Sequence, residues 1–161
     1  METLVPPREP LVKIENSLER LLGRSRAICV LLADVTGQLI SAKGKDDGVD
    51  TSALAALTAS NVAATAEIAR QLGEPAPFSY LFHEGQRRHI YISSVGQTFL
   101  LVIIFDEMTQ IGLVRIFARL AVNELREVAS ELEPWLERAS GVVDREFRGA
   151  LAEGLDQAFI E

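Results

Sequence analysis

The stretch LAALTASNVAATAEIARQLGE, residues 54–74, decides the fold. Its apolar residues recur at helical spacing. Asp50, Thr51 and Ser52 stand before it, each able to cap a helix, and Gly73 ends it ahead of Pro75 and Pro77. Most of its apolar side chains are alanine, however, where a helix that only covers a sheet would carry leucine, isoleucine or phenylalanine. The residues sort into three stripes. Leu54, Leu57, Ala64, Ile68 and Leu72 form a bulky stripe, expected to face the sheet. Ala55, Ala59, Val62, Ala66 and Ala69 form a second stripe, small throughout, and Ala56, Ser60, Ala63, Glu67 and Arg70 a third, part small and part polar. Alanine is the best helix former, but here the excess is sorted to a side. Small side chains let another backbone approach closely, so the second stripe is expected to meet a second helix across an interface.

Working outward, LVKIENSLERLLG (11–23) places Leu11, Ile14, Leu18, Leu21 and Leu22 on one helical face, with Gly23 where a helix would stop. AICVLLADVTGQLISAKG (27–44) reads as two strands about a turn at Asp34–Gly37, and GKDDGVD (44–50) as a loop. After the alanine-rich helix come FSYLFHE (78–84), RRHIYISSVG (87–96) and TFLLVIIFDE (98–107). The last is almost wholly apolar and so central. From Thr109 a long helix runs toward Leu136, ERASG (137–141) breaks its pattern, and VVDREFRGALAEGLDQAFIE (142–161) spaces Val143, Phe147, Leu151, Leu155 and Phe159 for a short amphipathic helix. This order, α-β-β-α-β-β-β-α plus a terminal helix, predicts an α+β domain on a five-stranded, mainly antiparallel sheet between helices. Residues 1–10 are expected to be a flexible amino terminus, 11–138 the domain and 139–161 a C-terminal extension.

The 161 residues, 48% hydrophobic and 24% charged, fit one folded domain. A net charge of −7 without a basic stripe argues against a nucleic-acid partner. No run approaches the roughly 20 apolar residues of a membrane span, METLVPPREP does not read as a secretory signal, and a lone cysteine excludes an internal disulfide. A cytoplasmic protein is expected.

At this point the chain resembles a known family. LAALTASNVAATAEIARQLGE, FHEG, LLVIIFDEMTQIGLVRI and DVTGQLIS, in their order and spacing, resemble the roadblock family, the bacterial relatives of dynein light chains, and within it the regulators of a Ras-like polarity GTPase of the MglA type. The resemblance covers roughly residues 11–137, with a weaker match at GLDQAF (154–159). It implies a roadblock/profilin-like fold and a homodimer whose sheets join across a two-fold axis, with the second helices side by side on one face. It also implies that this face receives the GTPase and stimulates its hydrolysis by reshaping the switch loops, without an inserted arginine. Carried onto this sequence, the third stripe (Ala56, Ser60, Ala63, Glu67, Arg70) would meet the GTPase and the second would meet its symmetry mate. The tail residues Phe147, Leu151, Leu155 and Phe159 would dock on the GTPase or on the dimer itself. FSYLFHE is the edge expected to pair. Roadblock proteins also serve as scaffolds, and a profilin- or PAS-like sensor that binds a protein partner or small ligand is the alternative.

Other groups read as structural. His83 and His89 flank a turn with Glu84 between them, but three ligands from one turn make a poor metal site. Cys29 sits in an apolar run as a buried thiol, and Asp106–Glu107 suits the start of a helix better than acid–base chemistry. No P-loop, dinucleotide fingerprint or nucleophile elbow is present. No catalytic residue, metal or cofactor is therefore expected.

Overall fold

The structure is a computed structural model; it describes residues 5–45 and 48–159, and within the last helix it leaves the side chains of 142–144, 146–148, 151 and 154–159 undescribed. The elements are α1 (Arg8–Ser25), β1 (Cys29–Asp34), β2 (Leu39–Gly44), α2 (Thr51–Gln71), β3 (Tyr80–Glu84), β4 (Arg88–Val95), β5 (Phe99–Asp106) and α3 (Ile111–Phe159). The strands form one sheet in the order β2-β1-β5-β4-β3, every pairing antiparallel. β5 lies at its centre, as its unbroken apolar run requires.

Two apolar layers flank the sheet. One side buries Ile14, Leu18 and Leu21 of α1 and Val114, Ala118, Leu125 and Leu132 of α3 against Val30, Leu32, Leu101, Ile103 and Phe105. The other sets α2 on Leu31, Ile92, Val102 and Ile104. Alternate residues of β1 and β5 serve opposite layers, which is why both strands are apolar throughout.

Local signals explain the boundaries. The Asp50 carboxylate accepts from the Ala53 amide at 3.0 Å and caps α2, and Gly73, at φ +78°, ends it. The β1–β2 turn is organised by Asp34, whose Oδ1 accepts from the amides of Thr36 and Gln38 and from the Thr36 hydroxyl.

Three boundaries differ from expectation. α1 begins at Arg8, since Pro10 falls in its first turn, where a missing N–H costs nothing. It also passes through Gly23 and ends at Arg26, a non-glycine residue in the left-handed region at φ 57°. α3 does not break at residues 137–141. It is one helix from Ile111 to Phe159, with Pro134 inside it. ERASG carries helix-tolerant Glu, Arg and Ala, so the lapse in apolar spacing does not end the helix.

Candidate functional site

The outer face of α2 is where the chain offers contact surface. Ala55, Thr58, Ala59 and Ala69 are buried in the protomer, and Val62 and Ala66 are half-buried. The second stripe therefore faces the sheet, and the expected orientation of the helix is inverted. The strand side chains beneath it, Leu31, Ile92, Val102 and Ile104, are themselves bulky. They fill the layer, so the helix above must be small to close on them. The assignment of Ala55, Ala59, Val62, Ala66 and Ala69 to a helix–helix dimer contact is corrected accordingly: their partner is their own sheet.

The bulky stripe is turned outward. Leu57, Ile68 and Leu72 are 67%, 54% and 70% exposed, Ala64 between them is exposed too, and only Leu54 packs against the sheet layer. Three large aliphatic side chains along one exposed helix face form the kind of patch that marks an interaction surface. Sequence reasoning chose the wrong stripe, because periodicity shows that two apolar faces exist without showing which one the sheet can accommodate.

Beside this ridge the third stripe is exposed along its whole length: Ala56, Ser60, Ala63, Glu67 and Arg70. Its polar end is internally paired. Arg70 donates through Nε and Nη2 to both oxygens of Glu67, and Gln71 Nε2 donates to Glu67 Oε1 at 2.9 Å. The hydrogen bonds from Arg70, then from Gln71, hold the Glu67 carboxyl below its ordinary range, and Glu67 in turn raises Arg70. Arg87 and Arg88, at the β3–β4 turn, are exposed. Phe147, Leu151, Leu155 and Phe159 lie in the α3 helix, but their side chains fall outside the described residues.

The two sheet edges differ. β2 carries a register irregularity opposite Leu32–Ala33, and Lys43 sits on it, 3.9 Å from Glu15. Bulges and lysines are the devices that keep an edge from pairing. β3 pairs with β4 in continuous register and has no such irregularity, lysine or proline. Its outer side is open to another strand, beside the outward face of α2.

The remaining candidate groups lie apart from one another. His83 pairs across the hairpin with Ile90 and His89 with Glu84, so the histidines point to opposite sides of the sheet. His83 Nε2 lies 3.3 Å from the Asn61 amide nitrogen, whereas His89 packs among the rings of Phe82 and Phe105. Among the described residues no three His, Cys, Asp or Glu side chains are placed to hold a metal. Cys29 is buried in β1, and Asp106 accepts from the Met108 amide in the turn leading into α3. No described helix is long and apolar enough to cross a membrane.

The Roadblock/LC7 domain model matches residues 13–105. Among solved structures, Myxococcus xanthus MglB is similar at 41% identity and a TM-score of 0.74, over 80% of this chain and 96% of that one. Thermus thermophilus MglB matches at 32% identity and a TM-score of 0.74, over 81% and 98%. A roadblock domain from Streptomyces avermitilis, 15% identical with a TM-score of 0.65 over 71% and 95%, shares the fold. No curated protein matches the chain in sequence. The family match spans more than half the chain and the MglB likeness most of it, so this chain belongs to the Roadblock/LC7 family, among its MglB-like members.

Proposed function

We propose that the protein is a cytoplasmic homodimer that binds an MglA-type Ras-like GTPase and stimulates its GTP hydrolysis, controlling cell polarity or motility. The observation that carries this is the exposed ridge Leu57–Ile68–Leu72 on α2, flanked by the open edge of β3. Two copies joined edge to edge at β3 bring two such helices together over one continuous sheet, and a two-fold interface of this kind repeats one patch on both subunits. The ridge then takes the dimer contact that the small stripe cannot make. The outward stripe Ala56, Ser60, Ala63, Glu67 and Arg70 remains open along the paired helices and receives the GTPase.

Stimulation acts through the partner's own switch loops. Arg70 is engaged with Glu67, which suits a docking role better than insertion into a nucleotide site. The experiment is a GTP-hydrolysis assay of an MglA-type GTPase with and without the purified dimer, repeated with Arg70→Ala, Arg87→Ala and Arg88→Ala. Stimulation is expected and survives each substitution. An inserted arginine would be worth roughly 10³–10⁵ in rate, so collapse in one variant that still binds would replace this mechanism. No stimulation despite binding would make the protein a scaffold.

A further inference from the structure

On the other side of the sheet from α2, the first turn of α1, the start of β2 and the middle of α3 line a cavity of about 180 Å³ that is partly open to solvent. Leu11, Ile40, Leu132, Leu136 and the ring of Trp135 line it, Gln38 is its polar side chain, and none of its described lining residues is charged. Trp135 Nε1 is buried and has no hydrogen-bond partner among the described residues. A buried N–H without an acceptor is costly, and such an orphan in a folded protein calls for a partner.

We propose that this cavity is a binding site for a small neutral apolar molecule carrying one acceptor oxygen, such as a ketone, ester or alcohol. The size follows from the volume, because a dry apolar cavity of about 150 Å³ takes benzene. Neutrality follows from the lining, since a carboxylate or ammonium would be desolvated there with no charge to meet it. The acceptor oxygen answers to the indole N–H, because Trp135 lines the site and its Nε1 has no partner among the described residues. Apolar walls with one or two polar groups are the usual make-up of a small-molecule site. The site is independent of the α2 face, so it stands or falls apart from the GTPase proposal.

Trp135 is the only tryptophan, so the full chain gives a single indole N–H resonance in a ¹H–¹⁵N spectrum. Titration with cyclohexanone is expected to move that resonance saturably downfield, and methylcyclohexane, which lacks the oxygen, to move it less. Ile40→Phe and, separately, Leu11→Phe, both on the α1/α3 side of the sheet, fill the cavity and should weaken the response at least tenfold while the remaining amide spectrum stays folded. An indole resonance that does not move would overturn the proposal, including the case in which the chain's own first residues already occupy the cavity. So would an equal response in both filled variants, or equal shifts from the two probes.

Discussion

Gly37, in the β1–β2 turn, lies against the backbone of α2: a methyl group built on Gly37 would stand 2.9 Å from Ala56 Cα and 3.5 Å from its Cβ. The turn can approach this closely because neither residue has a side chain beyond Cβ, and because glycine tolerates its φ of +96°. Gly37→Ala is therefore expected to lower stability by about 2 kcal/mol, through the left-handed backbone and the enforced separation together. Urea unfolding measures it, and a loss under about 0.5 kcal/mol would mean the turn moves away freely.

Leu57→Glu with Ile68→Glu should leave the protomer folded, since both side chains are exposed and surface substitutions usually change stability by under about 0.5 kcal/mol. In a dimer the same charges would be desolvated. Light scattering at micromolar concentration should give a dimer for the parent chain and a monomer for the double variant. A dimer that survives it would place the interface elsewhere.

The alanine-rich helix shows what was legible in the sequence and what was not. Its limits were, because Asp50 and Gly73 act on the backbone beside them. The antiparallel sheet and the central place of β5 followed from the hairpin turns and its wholly apolar run, but the adjacency of β1 and β5 did not. The orientation of α2 was not legible: it depends on how much room Ile92 and Ile104 leave above the sheet, a property of three strands at once. Nothing local to residues 54–74 records it. The third stripe was placed outward correctly because Glu67 and Arg70 cannot be buried unpaired.

Ala63→Arg tests that stripe directly. Ala63 is exposed in the protomer, so the longer side chain is expected to leave folding and dimerisation unchanged. Binding of the GTPase should fall by at least tenfold, read by titration calorimetry. Unchanged affinity would remove Ala63 from the contact.

A chain ending at Ser140 keeps Leu132 and Leu136, the last α3 residues that pack on the core among the described residues. Its melting temperature is expected within about 2 °C of the full chain, while GTPase affinity or nucleotide exchange changes. A large drop in melting with unchanged binding would make the tail a structural element.

Glu124 ties α3 to α1: its Oε2 accepts from Arg20 at 2.8 Å and from the Ser17 hydroxyl at 2.9 Å. The Arg20 hydrogen bond, opposed by partial burial and helped by Ser17, holds the carboxyl below its ordinary value of 4.5. A depressed folded pKa contributes stability that is complete above the unfolded value and is lost as pH falls through the folded one. Glu124→Gln should thus destabilise near neutral pH, by no more than about 1 kcal/mol for so exposed a pair. The two unfolding curves should converge in acid, and a difference independent of pH would assign the effect to packing.

The continuity of α3 gives the molecule reach. At about 1.5 Å per residue, the stretch from Glu137 to Phe159 forms an arm roughly 35 Å long, about the width of a small domain. Pro134, just before it, cannot donate to the Ser130 carbonyl, so the helix is weakened at that turn. A tilt of about 10° there would sweep the far end through roughly 6 Å, a distance set by the 35 Å of helix beyond the pivot. Small adjustments beside Trp135 would be magnified at the tip, and the arm would act as a lever rather than a tether.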